Sequence, residues 1–402
     1  MALALGLCGC GVMGRRHLFG LRRLQEIGRR QFELVGLVDP VAASAGRLAV
    51  LAEELLGRRP ATFASLADLQ RAVLLDAIDV TTAPHLHADL AVEALENGIH
   101  VLVEKPIALT VLQGSRMLQA AAAAKRHLAV AENYRRDPIN RLARALLDAG
   151  TIGRPYLIVQ SSSGSGEHVI ITPWRHRKQS GGIVVDMGIH YADLLEYFLG
   201  PIDTVVGMNA VVDNRRRDAE GQWHLADAED LTAGVVRFAS GSIGNLLLNL
   251  AGRGLNHTAR VIYGTAGALS IPNDRSGLPL QLSLRRDGID VLVSAEEQLR
   301  LVPDFALDAA TAALFGGDRL ASYDLPWAEI DANLLAIELD DFAGAILTGR
   351  APEVDGEAGQ RSLAIVYGFL ESERLGRIIS VDEMLSGQAV AYQETLVAMV
   401  EE

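Results

Sequence analysis

Near the start of the chain the run Gly9-Cys10-Gly11-Val12-Met13-Gly14 restricts what the flanking sequence can fold into. It follows an apolar stretch, Leu3 to Cys8, and leads into a helical pattern from Arg15 to about Gly28. Glycines spaced G-x-G-x-x-G permit a tight strand-to-helix turn and let other atoms approach the backbone closely. The N–H groups that open the helix then point at an anion such as a pyrophosphate. The spacing alone is weak, because 39 glycines give room for chance matches. Its context strengthens it: Asp39 ends the next apolar run, Phe32 to Val38, 25 residues beyond Gly14. An acid at that strand end can accept hydrogen bonds from a ribose diol and would repel a 2′-phosphate. The pattern predicts a dinucleotide site that takes NAD rather than NADP.

With 402 residues, two domains are expected. Up to about residue 132 strands and helices alternate. Ala77 to Thr81, Ile99 to Val103 and Leu128 to Ala131 read as strands, and Ala42 to Leu56 and His87 to Glu96 as helices. That alternation predicts right-handed βαβ units on a parallel sheet. Beyond Arg135 the texture changes to successive strands: Pro155 to Ser162, Thr204 to Val212, Thr232 to Ala239, Ser242 to Leu250, Ala259 to Ile262, Leu280 to Leu284 and Ile289 to Val293. Ser240-Gly241 and Asp287-Gly288 are hairpin turns in this reading. One helix, Ile183 to Leu199, is inserted, Asp213 to Asp230 reads as a polar surface loop, and helical patterns return at Ile330 to Leu347 and Gln360 to Arg374. The expectation is an α/β protein with a dinucleotide domain over 1–132. A second domain, with a mostly antiparallel open sheet, follows over 133–402.

A net charge of −13 argues against general attraction to nucleic acid or anionic membrane. A local basic run, Arg175-His176-Arg177-Lys178, could still hold a phosphate or sulfonate. The only cysteines, Cys8 and Cys10, are too close for an unstrained disulfide and too few for a zinc site, so no metal is expected. The apolar N-terminus runs directly into the glycine turn and reads as a strand, not a signal peptide. No apolar run reaches membrane-spanning length. A soluble cytoplasmic protein follows as the expectation.

Two further segments carry chemistry. Glu104-Lys105-Pro106 closes an apolar strand at the same sheet edge as the glycine turn. Asp186 and His190, four residues apart, project together from one helix face. Each has an ordinary reading, as a solvated lysine, a helix-start aspartate or a core histidine. Together they supply a cation for a developing oxyanion, an acid/base near neutrality and a carboxylate beside it. Thr81-Thr82-Ala83-Pro84 follows another strand of the sheet and borders the same crevice.

The motifs occur in an order that resembles the glucose–fructose oxidoreductase / inositol dehydrogenase / rhizopine-catabolism (Gfo/Idh/MocA) family. They are Gly9 to Gly14 with His17, Ala83-Pro84 before His87, Glu104-Lys105-Pro106, Trp174-Arg175, Gly181-Gly182 through Asp193, and Asp355 to Gly359. The resemblance spans nearly the whole chain. It implies a Rossmann domain followed by an α/β domain whose open sheet is often used for oligomerisation, as a homodimer or homotetramer. It also implies a catalytic set of Lys105, Asp186 and His190. The cofactor contacts it implies are Gly9, Gly11, Val12, Met13, Gly14, Asp39, Thr82, Ala83, Pro84, His87, Glu104, Lys105, Asn133, Trp174 and Arg175. The three catalytic residues Lys105, Asp186 and His190 are also the expected substrate contacts, and His176, a polar loop residue like Glu167, His168, Lys178 and His257, is a further candidate to line the substrate site. Ala83 stands where the family often has threonine or serine, and the Asp213 to Asp230 loop is long, which bears on the shape of the substrate pocket.

The expected activity is NAD-dependent hydride transfer at a secondary alcohol or ketone of a sugar, cyclitol or derivative. An alternative is a glycoside hydrolase that uses NAD transiently, for oxidation, elimination and re-reduction. A regulator without chemistry is the third reading, against which the complete lysine–aspartate–histidine set argues.

Overall fold

The computed structural model describes residues 2–401. Strands β1 (Leu3–Cys8), β2 (Phe32–Val38), β3 (Ala61–Phe63), β4 (Ala77–Val80), β5 (His100–Glu104) and β6 (Leu128–Ala131) form one sheet. The connections are helices α1 (Val12–Glu26), α2 (Ala42–Leu56), α3 (Leu66–Ala72), α4 (Pro84–Glu96) and α5 (Val111–Ala124). Every pairing is parallel and the order is β3-β2-β1-β4-β5-β6. That is the doubly wound Rossmann order, whose switch point lies between β1 and β4. The central strands are buried on both faces, so they read as unbroken apolar runs such as Val101, Leu102 and Val103. Helix α1 begins at Val12, inside the glycine run, three residues before the periodicity alone suggests.

The chain then forms α6 (Pro138–Asp148), β7 (Pro155–Ser165) and α7 (Ile183–Leu199). After these come β8 (Ile202–Ala210), β9 (Arg215–Arg217), β10 (Trp223–Leu225), β11 (Leu231–Phe238), β12 (Ile243–Gly252), β13 (His257–Gly264), β14 (Gly267–Ser270), β15 (Gln281–Arg286) and β16 (Ile289–Val293). Then follow α8 (Ala295–Leu301), α9 (Ala309–Phe315), α10 (Trp327–Thr348), α11 (Gly356–Leu375), β17 (Ile379–Ser380), α12 (Val381–Leu385) and α13 (Gln393–Glu401).

A nine-stranded sheet runs β16-β15-β14-β13-β7-β12-β11-β8-β17. Its one parallel pair is β12 with β7. Asp287 and Gly288 both have positive φ, the geometry of the tight turn between β15 and β16. The inner face carries Ile158, Leu246, Leu248 and Ile262, all fully buried. Gly207 and Gly234 leave room there for Phe369, since a Cβ at Gly234 would lie 2.4 Å from its ring. The outer face exposes Val206, Met208, Val235, Ile243 and Tyr263. Cross-strand register aligns these side chains, with Val206 opposite Val235 and Met208 opposite Ala233.

The expected polar loop at 213–230 contains the hairpin β9–β10. Arg216 pins it from below, fully buried, donating to the carbonyls of Gly166 and Leu250 and to Asp230 Oδ2 at 2.6 Å.

The chain divides into two compact units, and the division is not a single point in sequence. The first unit holds residues up to Arg136 together with Asp308–Asp318 and Leu325–Gln360. The second holds Asp137–Leu307, Arg319–Asp324 and the chain from Arg361. Where sequence reading places all of 133–402 in one domain, α9 and α10 return to the first. Helix α10 lies against α1, where a Cβ on Gly20 would be 3.1 Å from the backbone of Leu335 and Ala336. Arg16 pairs with Asp331, Arg23 with Glu329, and Arg29 with Asp340.

Candidate active site

In the first unit the glycine turn has the shape a dinucleotide needs. Gly9 has φ +102°, and a Cβ there would meet the Thr81 backbone at 2.8 Å. A Cβ on Gly14 would lie 2.2 Å from the Gly9 carbonyl oxygen, so only glycine lets α1 start this close to β1. At Gly11 nothing stands within 4 Å of the Cβ position, which leaves open space at the N-terminus of α1. That combination, tight behind and open in front, fits a pyrophosphate on the helix N-terminus. Val12 is exposed and Met13 half-buried in the first turn of α1. Asp39 accepts hydrogen bonds from the backbone N–H groups of Cys10 (2.9 Å) and Val41 (2.8 Å), which holds its carboxylate beside the turn. Thr81 Oγ1 donates to the Gly9 carbonyl at 2.7 Å.

The next two strand ends are tied together. Ala83 is the N-cap of α4, with Pro84 at its first position. His87 is fully buried, its Nε2 3.0 Å from the Thr82 carbonyl oxygen and its Nδ1 2.9 Å from that of Pro106. The ring therefore joins the Thr82–Pro84 turn to the Lys105–Pro106 turn, where the peptide bond is cis. Glu104 is buried, and its Oε2 accepts the Lys105 backbone N–H at 3.0 Å. Asn133 is buried just beyond β6.

Behind Glu104 lies a fully enclosed cluster. His17 on α1 places Nδ1 2.7 Å from Asp79 Oδ2 and Nε2 3.2 Å from Glu104 Oε1. Glu338 Oε1 on α10 stands 3.9 Å from the same Nε2. Burial opposes a charge on His17, but Asp79 and Glu104 outweigh it and raise its pKa well above the ordinary value. Burial also works against the Glu104 carboxylate, and the His17 hydrogen bond and charge, Lys105 and Arg16 overcome it, bringing the pKa to about 2. Burial raises Glu338 to about 8 despite the nearby His17 charge.

In the second unit, Trp174, Arg175 and His176 lie on a short 3₁₀ turn, Pro173–His176. Arg175 Nη1 donates to Asp186 Oδ1, both side chains being buried, and the guanidinium carbon is 5.0 Å from the Trp174 ring centroid. Asp186 and His190 occupy successive turns of α7, each 5% exposed. Gly182 caps that helix at φ +84°, and a Cβ there would sit 2.6 Å from the Ala228 Cβ. His176 is anchored by one ring nitrogen, and its Nδ1 is buried with no hydrogen-bond partner among the described residues. Its buried Nε2 accepts the Ile170 N–H at 2.9 Å, and burial, helped by Arg216, pushes its pKa down to about 4.

Sequence reading did not single out Asp79 or Glu338. The available signal was a lone acid in each of two apolar runs, Ala77–Val80 and Leu334–Leu339. Such a residue needs a partner that one sequence does not identify.

Known proteins share this fold. A family model described as "Oxidoreductase family, NAD-binding Rossmann fold" matches residues 3–132, and the "GFO/IDH/MocA C-terminal domain" matches 140–270. D-apiose dehydrogenase of Paraburkholderia graminis is 26% identical over 97% of this chain and 92% of its own length. Levoglucosan dehydrogenase of Pseudarthrobacter phenanthrenivorans is 29% identical over 53% of this chain and 59% of its own. The crystal structure of an NAD-binding oxidoreductase from Klebsiella pneumoniae superposes with a TM-score of 0.78 at 24% identity, over 95% of this chain and 99% of that one. The parallel sheet with its glycine turn and the open sheet behind α7 are thus the two halves of one known architecture, and the chain belongs to the Gfo/Idh/MocA family of NAD-binding oxidoreductases.

Proposed function

We propose that this oxidoreductase interconverts a secondary alcohol and the corresponding ketone on a sugar, cyclitol or close derivative. The observation that carries the reading is the convergence, within the first unit, of the glycine turn, Asp39 and the Lys105 strand end on the carboxyl edge of one parallel sheet. The relatives support the substrate class, being named for D-apiose, levoglucosan and scyllo-inositol.

The backbone N–H groups at Gly11 to Gly14 hold the pyrophosphate, and Asp39 takes the adenosine ribose. The nicotinamide, when bound, supplies the two-electron acceptor or donor. Lys105 donates to the substrate oxygen and stabilises negative charge that develops there. His190 takes the hydroxyl proton in oxidation and returns it in reduction. Asp186, held by Arg175, supports the charge that His190 gains.

The outer face of the nine-stranded sheet, with Val206, Met208 and Val235 exposed in adjacent rows, supports assembly as a homodimer or homotetramer. Free thiols at Cys8 and Cys10 support a reducing, cytoplasmic location.

The test is a sugar and polyol panel with NAD, followed both for NADH and for released aglycone. Stoichiometric NADH is expected. Aglycone release without net NADH would establish redox-assisted glycoside cleavage instead. Lys105→Ala is expected to lower kcat at least ~100-fold while the Kd for NADH stays within about threefold; near-normal turnover in that variant removes Lys105 from the mechanism.

A further inference from the structure

The cluster behind Glu104 has a feature that packing alone does not explain. Glu338 is 1% exposed, and neither carboxyl oxygen has a hydrogen-bond partner among the described residues. A leucine or methionine would fill this position on α10 without the penalty of desolvating an unpartnered carboxyl group. Instead the sequence sets a carboxyl oxygen 3.9 Å from the imidazole nitrogen that serves Glu104. Among the described residues no group of three or more His, Cys, Asp or Glu is placed to hold a metal ion.

We propose that His17 and Glu338 are positioning residues: as a buried pair they fix Glu104, and through it the strand end that carries Lys105. The link is continuous. His17 Nε2 bonds Glu104 Oε1, and Glu104 Oε2 accepts the Lys105 N–H. His17 itself is anchored by Asp79 on its other nitrogen. While Glu338 holds its proton, the Nε2 proton of His17 goes undivided to Glu104. When Glu338 ionises, a second carboxylate competes for that proton and repels Glu104, and the Lys105 strand end loosens. Other charged groups around the pair are Arg16 on α1, Lys105 after β5, and Arg136 on the turn after β6. The parts of β6 and α9 packed against α10 bring no ionisable side chain. The titration of Glu338 near pH 8 puts this switch within reach of a steady-state pH profile.

The proposal rests on Lys105 acting at the substrate oxygen, so the experiment includes Lys105→Ala as a control. The profile of kcat is expected to fall on the alkaline side with an apparent pKa near 8, and in Glu338→Gln that fall moves up by at least about one pH unit. His17→Gln is expected to lose at least ~10-fold in kcat with the Kd for NADH within about threefold. Independently of activity, infrared spectra of the unsubstituted enzyme should show a protonated carboxyl band that disappears on titration through pH 8 and is missing in Glu338→Gln. Superimposable profiles for Glu338→Gln and the unsubstituted enzyme overturn the proposal, as does the lack of that band. Near-normal turnover in Lys105→Ala instead overturns the role of Lys105, whatever Glu338→Gln does.

Discussion

The guanidinium of Arg175 closes on the carboxylate of Asp186, with both side chains buried and the Trp174 ring beside them. A buried pair of this kind is far more sensitive to loss of one member than of both. Arg175→Met should destabilise the second unit by about 3 kcal/mol, whereas Arg175→Met with Asp186→Asn should recover at least about half of that. Urea denaturation of the two single variants and the double variant measures the coupling. Strict additivity would mean that the pair is energetically idle.

The glycine turn separates two effects that a single substitution usually confounds. A Cβ at Gly14 collides with the Gly9 carbonyl, while one at Gly11 meets nothing. Gly14→Ala should therefore lower both Tm and NADH affinity. Gly11→Ala should leave Tm within about 2 °C and still weaken NADH at least ~10-fold, because the methyl group fills the approach to the helix N-terminus. Thermal melts and NADH fluorescence titrations on both variants decide this.

Asp39 lies just beyond β2 beside the glycine turn, with both oxygens accepting backbone N–H groups, and in the proposed site its charge would face a 2′-phosphate. Asp39→Ser is expected to cut the preference of kcat/KM for NAD over NADP at least ~10-fold. Comparable use of both cofactors by the unsubstituted enzyme would remove Asp39 as the selector.

The acid limb of stability should report Glu104. Its pKa is lowered to about 2, so the carboxylate binds fewer protons in the folded chain than in the unfolded one. Its contribution is complete above its ordinary pKa of 4.5 and is lost as the pH falls from there toward 2. Glu104→Gln should be less stable than the unsubstituted enzyme at neutral pH, and the difference should shrink through that window. A constant gap in Tm from neutral pH down to about pH 2.5 would contradict the assignment.

The outer face of the large sheet gives a fifth test. Met208 is 76% exposed opposite Ala233, next to the Val206–Val235 pair. Met208→Asp with Val235→Asp should convert an oligomer to monomer in sedimentation velocity while the far-ultraviolet circular dichroism is kept. An unchanged sedimentation coefficient points to another face.

The sequence reads well where one local rule decides the outcome. Helix α7 has the bounds its apolar pattern suggests, Ile183–Leu199, and β16 likewise spans Ile289–Val293. The glycine turn and Asp39 fall together because strand, turn and helix are adjacent in sequence. Strand β14, Gly267–Ser270, has a single large apolar residue, Leu269, and no alternation long enough to reveal it. Hairpin β9–β10 looks like a polar loop because Arg216 is a buried arginine, and burial of arginine depends on partners far away in sequence, here Leu250 and Asp230. Among the expected site residues, His176 shows its chemistry in the sequence, but only the fold shows that its Nε2 accepts the Ile170 N–H. The apolar face of α10 says that it packs and does not say on what.

That last point bears on how the protein is made. Residues up to Arg136 contain every strand of the nucleotide-binding sheet, yet α1 meets its neighbour only when Trp327–Thr348 has left the ribosome. Until then Gly20 faces no helix, and Arg16, Arg23 and Arg29 wait for Asp331, Glu329 and Asp340. The first unit to be synthesised therefore cannot close until about two hundred further residues of nascent chain have emerged.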